Sequence, residues 1–337
     1  MAIGNVLDRR SFLSLGALTV ALPAWFHSDG SNKCATSSCP APMKPLDGPL
    51  ASADSPILKA VKFTPLSIDV GAIKTFKAIH CSDTHLNFMT VGDLIGAKVE
   101  RDLAMYEERR KQLNTLVPFA ACVLKARLWK MPFLHTGDVW DYDSIGNMLI
   151  AQDAFEQAGD VFYAMGNHEM VGHWENDPAY SASVWRHRIQ PYLPNSVLCA
   201  ARMIFGVNFV SFDDTGDCVD RQADIEAFVK AEFAKGLPVV LMVHEPFLTD
   251  EIRADLVEAK GARSGHNKVD PRYLPRYCYG SKRHEREFID WILAQKNLKT
   301  VLCGHLHHEA HYRLSETVVQ HVAGAAMNGL AYEIEFY

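Results

Sequence analysis

Residues 75–85 read Thr-Phe-Lys-Ala-Ile-His-Cys-Ser-Asp-Thr-His, a short, largely apolar run that ends in the polar cluster Ser82-Asp83-Thr84-His85. The run has the length and content of a buried strand. The cluster after it carries two side chains able to bind a metal, Asp83 and His85. The pattern recurs four times. Met131–Thr136 leads into Gly137-Asp138-Val139-Trp140-Asp141, Asp160–Met165 into Gly166-Asn167-His168-Glu169, Leu237–Val243 into His244, and Leu298–Cys303 into Gly304-His305-Leu306-His307. Helical stretches lie between the runs. The clearest are Val99–Trp129, expected to break near Pro118, and Arg221–Lys235.

Strands alternating with helices build an α/β fold with a mostly parallel sheet. The loops at the carboxyl ends of such strands converge on one edge, where ligands bind. The five clusters are therefore expected to meet in space. Taken singly, each has a bland reading: a surface turn for D-x-H, a helix N-cap for G-N-H-E, a hydrogen-bonded core residue for His244. Five in series on strand ends do not. Together they supply Asp83, His85, Asp138, Asn167, His244, His305 and His307. Carboxylate, amide and imidazole donors suit Mn, Fe, Zn or Co, and with no Cys in the set a thiolate site is excluded. Seven ligands are too many for one tetrahedral ion and suit two ions sharing one carboxylate. Gly137, Gly166 and Gly304 permit tight turns where the backbone nears the ions.

In this order the motifs D-x-H, G-D-x-x-D, G-N-H-[DE], lone H and G-H-x-H resemble those of the calcineurin-like metallophosphoesterase family, over roughly Lys62 to Tyr337. The resemblance implies a β-sandwich of two mixed sheets flanked by helices, with a dinuclear metal site at strand C-terminal ends. It implies that Asp83, His85 and His307 hold one ion and Asn167, His244 and His305 the other, with Asp138 bridging. His168 would contact the substrate and protonate the leaving group, and Asp141 would orient His168. The expected reaction is hydrolysis of phosphate mono- or diesters by a hydroxide activated between the two ions. A metal-binding, non-catalytic scaffold on the same fold is the alternative.

The N-terminus reads as an address. Arg9-Arg10 precede an apolar run from Phe12 to Phe26, too short to span a bilayer core of about 30 Å comfortably. Arg9-Arg10-Ser11-Phe12-Leu13 resembles a twin-arginine (Tat) signal. Residues 1–27 are thus expected to be the signal, 28–61 a flexible linker, and 62–337 the metallophosphoesterase domain. The expected location is periplasmic or otherwise extracytoplasmic. The expected partners are the Tat export machinery and a small phosphate-ester substrate, with membrane contact only through an uncleaved N-terminal segment. Cys34 and Cys39 could close a small disulfide loop there.

Composition narrows the alternatives. The chain has 337 residues, a net charge of -6, 48% hydrophobic residues and 22% charged residues. That apolar fraction excludes wholesale disorder, and the mild acidity argues against a nucleic-acid binder. Eight Cys without a C-x-x-C pair support neither a disulfide scaffold nor a zinc ribbon. One segment departs from the acidic balance: Lys260 to Arg286 holds eight Lys or Arg against two acids. It reads either as a solvated basic loop or as a lid presenting Arg263, His266 or Lys268 to an anionic substrate. Val99–Trp129 reads as an amphipathic surface helix.

Overall fold

The computed structural model describes residues 52–88, 114–170, 182–215 and 221–337, with no side chain described for 182 and 183. The signal-like segment, most of the linker, Cys34, Cys39 and residues 99–113 of the first expected helix lie outside these. The chain divides into two compact units, Met1–Pro56 and Ile57–Tyr337, and the fold below is that of the second. Among the described residues no helix is long and apolar enough to cross a membrane.

Eleven strands form two sheets among the described residues. In the first the order is β1(Lys62–Ile68), β11(Leu330–Phe336), β2(Phe76–Cys81), β3(Phe133–His135), β4(Val161–Tyr163). In the second it is β5(Cys199–Ile204), β6(Val207–Phe212), β7(Val239–Met242), β8(Leu298–Cys303), β10(Val319–Val322), β9(Ala310–Arg313). Both are mixed: β2, β3 and β4 run parallel while β11 opposes β2, and β6, β7, β8 and β10 run parallel between antiparallel edges.

The sheets face each other across one apolar layer. Ala78, Leu134, Phe162 and Ile334 from the first meet Phe209, Val240, Met242 and Leu302 from the second. On β6 and β7 the alternate residues Val210, Phe212, Val239 and Leu241 turn to the opposite face. There they pack under α3(Gln222–Phe233), α4(Asp250–Glu258) and α5(Arg283–Leu293). A strand buried on both faces by period-two alternation reads as a continuous apolar run, as β7 does; β6 is interrupted by the buried Asn208 and Ser211, which bond to Glu232 and to the Tyr163 carbonyl.

The outer face of the first sheet carries α1(Leu116–Trp129) and α2(Ile145–Ala158), with Phe119, Phe133, His135 and Phe155 in aromatic contact. α1 begins at Leu116, with Asn114 and Thr115 outside it and Pro118 in its first turn, where a missing N–H has no intrahelical acceptor to lose, so the break expected near Pro118 falls at the helix start. One expectation is corrected: Leu116–Trp129 is not an amphipathic surface helix. Phe119, Ala121, Cys122, Val123, Leu124 and Ala126 are all buried, on more than one face.

Register places the site. Cys81 pairs with His135 and His135 with Tyr163, so three loops leave the first sheet at one level. Met242 pairs with Leu302, which aligns His244 with Gly304. The loops then bond to one another: Asp83 N–H to the Gly137 carbonyl at 3.0 Å, His85 N–H to that of Asp138 at 2.9 Å, and Gly304 N–H to that of His244 at 3.0 Å.

Candidate metal centre

All seven expected ligands, and both His168 and Asp141, lie on these loops. Asp83, His85, Asp138, His305 and His307 have positive φ, between 49° and 68°. Left-handed backbone is costly for residues other than glycine, though Asp and His tolerate it better than most. Its concentration at five neighbouring positions marks a site whose surroundings enforce the geometry. The glycines act differently from one another. Gly137 needs its φ of 89°. Gly166 is required by close approach, since a Cβ there would lie 2.2 Å from the Asp138 nitrogen. At Gly304 a Cβ would lie 1.8 Å from Ser82 Oγ.

The donor atoms form two groups. Asp83, His85, Asp138 and His307 offer ligand atoms within 4.8 Å of one another, as do Asp138, His244 and His305. In the first, His307 Nε2 lies 3.2 Å from Asp83 Oδ1 and 3.1 Å from His85 Nε2. In the second, His244 Nε2 lies 3.0 Å from His305 Nδ1 and 3.1 Å from Asn167 Oδ1. Asp138 Oδ2 belongs to both, 3.6 Å from His85 Nε2 and 3.2 Å from His244 Nε2.

Backbone carbonyls fix which nitrogen faces inward. His244 donates its Nδ1–H to the Thr136 carbonyl at 2.7 Å, leaving Nε2 toward Asp138. His305 donates Nε2–H to the Arg276 carbonyl at 2.8 Å, leaving Nδ1 inward. Such outer bonds set the tautomer of a metal-binding imidazole. Asp83 Oδ1 and Asp138 Oδ2 are buried and accept no hydrogen bond among the described residues. Orphaned carboxylate oxygens facing imidazole lone pairs are the donor arrangement that divalent cations satisfy, so these residues fit metal ions.

The charges are strongly coupled. Burial would raise Asp138, but His244, His168 and His85 outweigh it and hold that carboxyl well below the usual carboxylate range. Burial would lower His85; bonds to Asp141 and Asp83 instead lift it to about 10. His305, pushed down by burial and then by His244, falls to about 4.

His168 and Asp141 stand beside the first group. The backbone N–H of His168 donates to Asp138 Oδ1 at 2.8 Å, and its Nδ1–H to the Asp141 carbonyl at 2.9 Å. The Asp141 carboxylate lies 3.2 Å from His168 Nδ1 and 3.3 Å from His85 Nδ1. Among the described residues His168 Nε2 has no hydrogen-bond partner, on a side chain 24% exposed. Burial works against a charged ring, but Asp138 and Asp141 raise His168 above its ordinary value.

Sequence reasoning gave no role to Glu169 or His135. The Glu169 carboxylate accepts N–H bonds from Asp138, Val139 and Gly166. His135 accepts the Gly137 N–H at 3.2 Å on Nδ1 and donates Nε2–H to Thr84 Oγ1 at 3.0 Å. The acid after G-N-H is the one signal that could have pointed to the Glu169 clamp.

Residues 76–309 match the family model described as calcineurin-like phosphoesterase. The chain belongs to the calcineurin-like phosphoesterase family. Members use divalent metals, in accord with the His/Asp cluster. No curated protein matches in sequence. Similar solved structures include a candidate 5′-nucleotidase from Staphylococcus aureus (14% identity, TM-score 0.43, covering 75% of this chain and 49% of that one). Another is a dimetal phosphatase from Danio rerio (10%, 0.41, 75% and 88%). A third is the sulfate thiohydrolase SoxB from Thermus thermophilus (13%, 0.39, 79% and 53%). The chain spans about half the length of the first and third.

Proposed function

We propose that this calcineurin-like phosphoesterase hydrolyses phosphate mono- or diesters at a centre of two divalent ions. Asp83, His85 and His307 would hold one ion, Asn167, His244 and His305 the other, and Asp138 both. The observation that carries this is the position of Asp138 Oδ2, common to two groups of ligand atoms and bonded to no donor. When bound, the ions supply Lewis-acid polarisation of the phosphoryl group and acidify water.

The chain's own residues do the rest. Asp141 holds His168 Nδ1, so a proton carried on Nε2 is available to a leaving alkoxide. Asp141 also touches His85, and thus keeps the acid at a fixed distance from the first group of ligands. The left-handed loops hold the donors before any substrate arrives, and such preorganisation is what phosphoryl transfer chiefly needs. We extend the reading to location: the twin-arginine-like start supports export of the chain with its metals already bound.

The test is hydrolysis of 4-nitrophenyl phosphate and bis(4-nitrophenyl) phosphate by purified protein with and without added Mn²⁺. Metal-dependent release of nitrophenol from either ester is expected. A fully metal-loaded protein that cleaves neither would favour the non-catalytic scaffold.

A further inference from the structure

The segment between His244 and His305 carries charge that the centre does not use. Lys260, Arg272, Lys282 and Arg283 pair with Glu258, Asp270, Glu285 and Glu287. Among the described residues, Arg263, Lys268, Arg276 and Arg286 have no carboxylate partner, and Arg286 is spent on the Gly280 carbonyl at 3.0 Å.

Of these, Arg276 is exposed with its guanidinium 5.5 Å from the Tyr273 ring centroid, whereas Arg263 is anchored by its own head group on the side of the segment that packs on the centre. It is half-buried, and its Nε–H donates to the Asn267 carbonyl at 3.1 Å. Its guanidinium lies 6.0 Å from the centroid of the Tyr277 ring. Tyr277 packs on His305 with centroids 5.9 Å apart, and the neighbouring Arg276 carbonyl takes the His305 Nε2–H. The segment is thus fastened to the rim of the metal centre, with the Arg263 guanidinium one aromatic ring out from a ligand. Its two terminal nitrogens meet no carboxylate.

A scissile phosphate at the ions would have its charge met there and by His168. A cation one ring farther out serves a different group. The planar fork of a guanidinium matches a carboxylate or a phosphate with two parallel bonds. We propose that Arg263 is a specificity determinant selecting esters whose alcohol carries a second anionic group, a carboxylate or a second phosphate. The inference rests on the phosphoester reading above.

Calorimetric titration of the Mn²⁺-loaded, full-length protein with three non-hydrolysable phosphonates tests it without requiring turnover. The ligands are propylphosphonate, 3-phosphonopropionate and propane-1,3-bisphosphonate. One or both of the last two should bind at least about 10-fold tighter than the first, and which does so identifies the preferred second anion. Arg263→Ala should erase that gain and leave propylphosphonate binding unchanged, while Arg263→Lys should retain part of it. Equal binding of all three by the wild type, equal weakening of all three by Arg263→Ala, or no binding at all would overturn the proposal. Failure of the phosphoester reading looks different: the preference persists but neither nitrophenyl ester is cleaved.

Discussion

The Glu169 carboxylate accepts the backbone N–H of Asp138 at 3.0 Å, so one strand-end loop fixes the residue at the heart of another. The same carboxylate binds the N–H groups of Val139 and Gly166. Glu169→Ala strands three buried donors, each costing about 1–3 kcal/mol. We expect a loss of at least about 3 kcal/mol in urea unfolding followed by circular dichroism. Glu169→Gln, which keeps one acceptor oxygen, should lose less. No change in either variant would contradict the clamp.

Two glycines separate steric need from backbone need. Gly159 has φ 85° at the end of α2 with open space around its missing Cβ, whereas Gly166 has an ordinary φ and no room at all. Gly159→Ala should cost only the strain of a backbone at φ 85°, ψ -75°, a γ-turn conformation that L residues rarely adopt, about 1–3 kcal/mol, and leave metal binding intact. Gly166→Ala forces the Asp138 and Asn167 loops apart and should abolish metal binding. Comparison of melting temperatures and bound metal distinguishes them.

The buried His321, its Nδ1 2.7 Å from that of the exposed His311, makes stability depend on acid. Burial, and then His311, push His321 from 6.5 to about 4. Between these values the unfolded chain takes up a proton that the folded chain refuses. The stabilisation is therefore complete above about pH 6.5 and lost progressively toward pH 4, by about 3 kcal/mol. His80, pushed down to about 3 chiefly by burial, adds to the same slope. His321→Leu should flatten the dependence of urea midpoint on pH in this window. An unchanged slope would contradict the assignment.

His168 offers a kinetic test. A general acid contributes about 10²–10⁴-fold, and only where the leaving group needs a proton. His168→Asn should reduce hydrolysis of an alkyl phosphate far more than that of 4-nitrophenyl phosphate. Equal losses on both would leave His168 a binding role alone.

Much of this centre was legible because its chemistry is local. An apolar run followed by Asp, His or Asn needs no tertiary knowledge, and the runs ending at Cys81, Thr136, Met165, Val243 and Cys303 all contain strands that end at or just before the loops. What was not legible depends on neighbours. β3 is only Phe133–His135 because the chain leaves the ladder for the left-handed turn at Asp138. α1 is buried because α2 and the first sheet cover it, which its own periodicity does not reveal. The Thr136 and Arg276 carbonyls that orient His244 and His305 are backbone groups, invisible to any reading of side chains.

On the proposed function, Asp138 joins two metal sites. The most direct measurement is the metal content per chain of purified wild type and Asp138→Asn by mass spectrometry of the ions, read beside turnover of 4-nitrophenyl phosphate. Two ions per wild-type chain are expected, with metal and activity lost together in Asp138→Asn. Near-normal metal content with retained turnover in that variant would contradict the account.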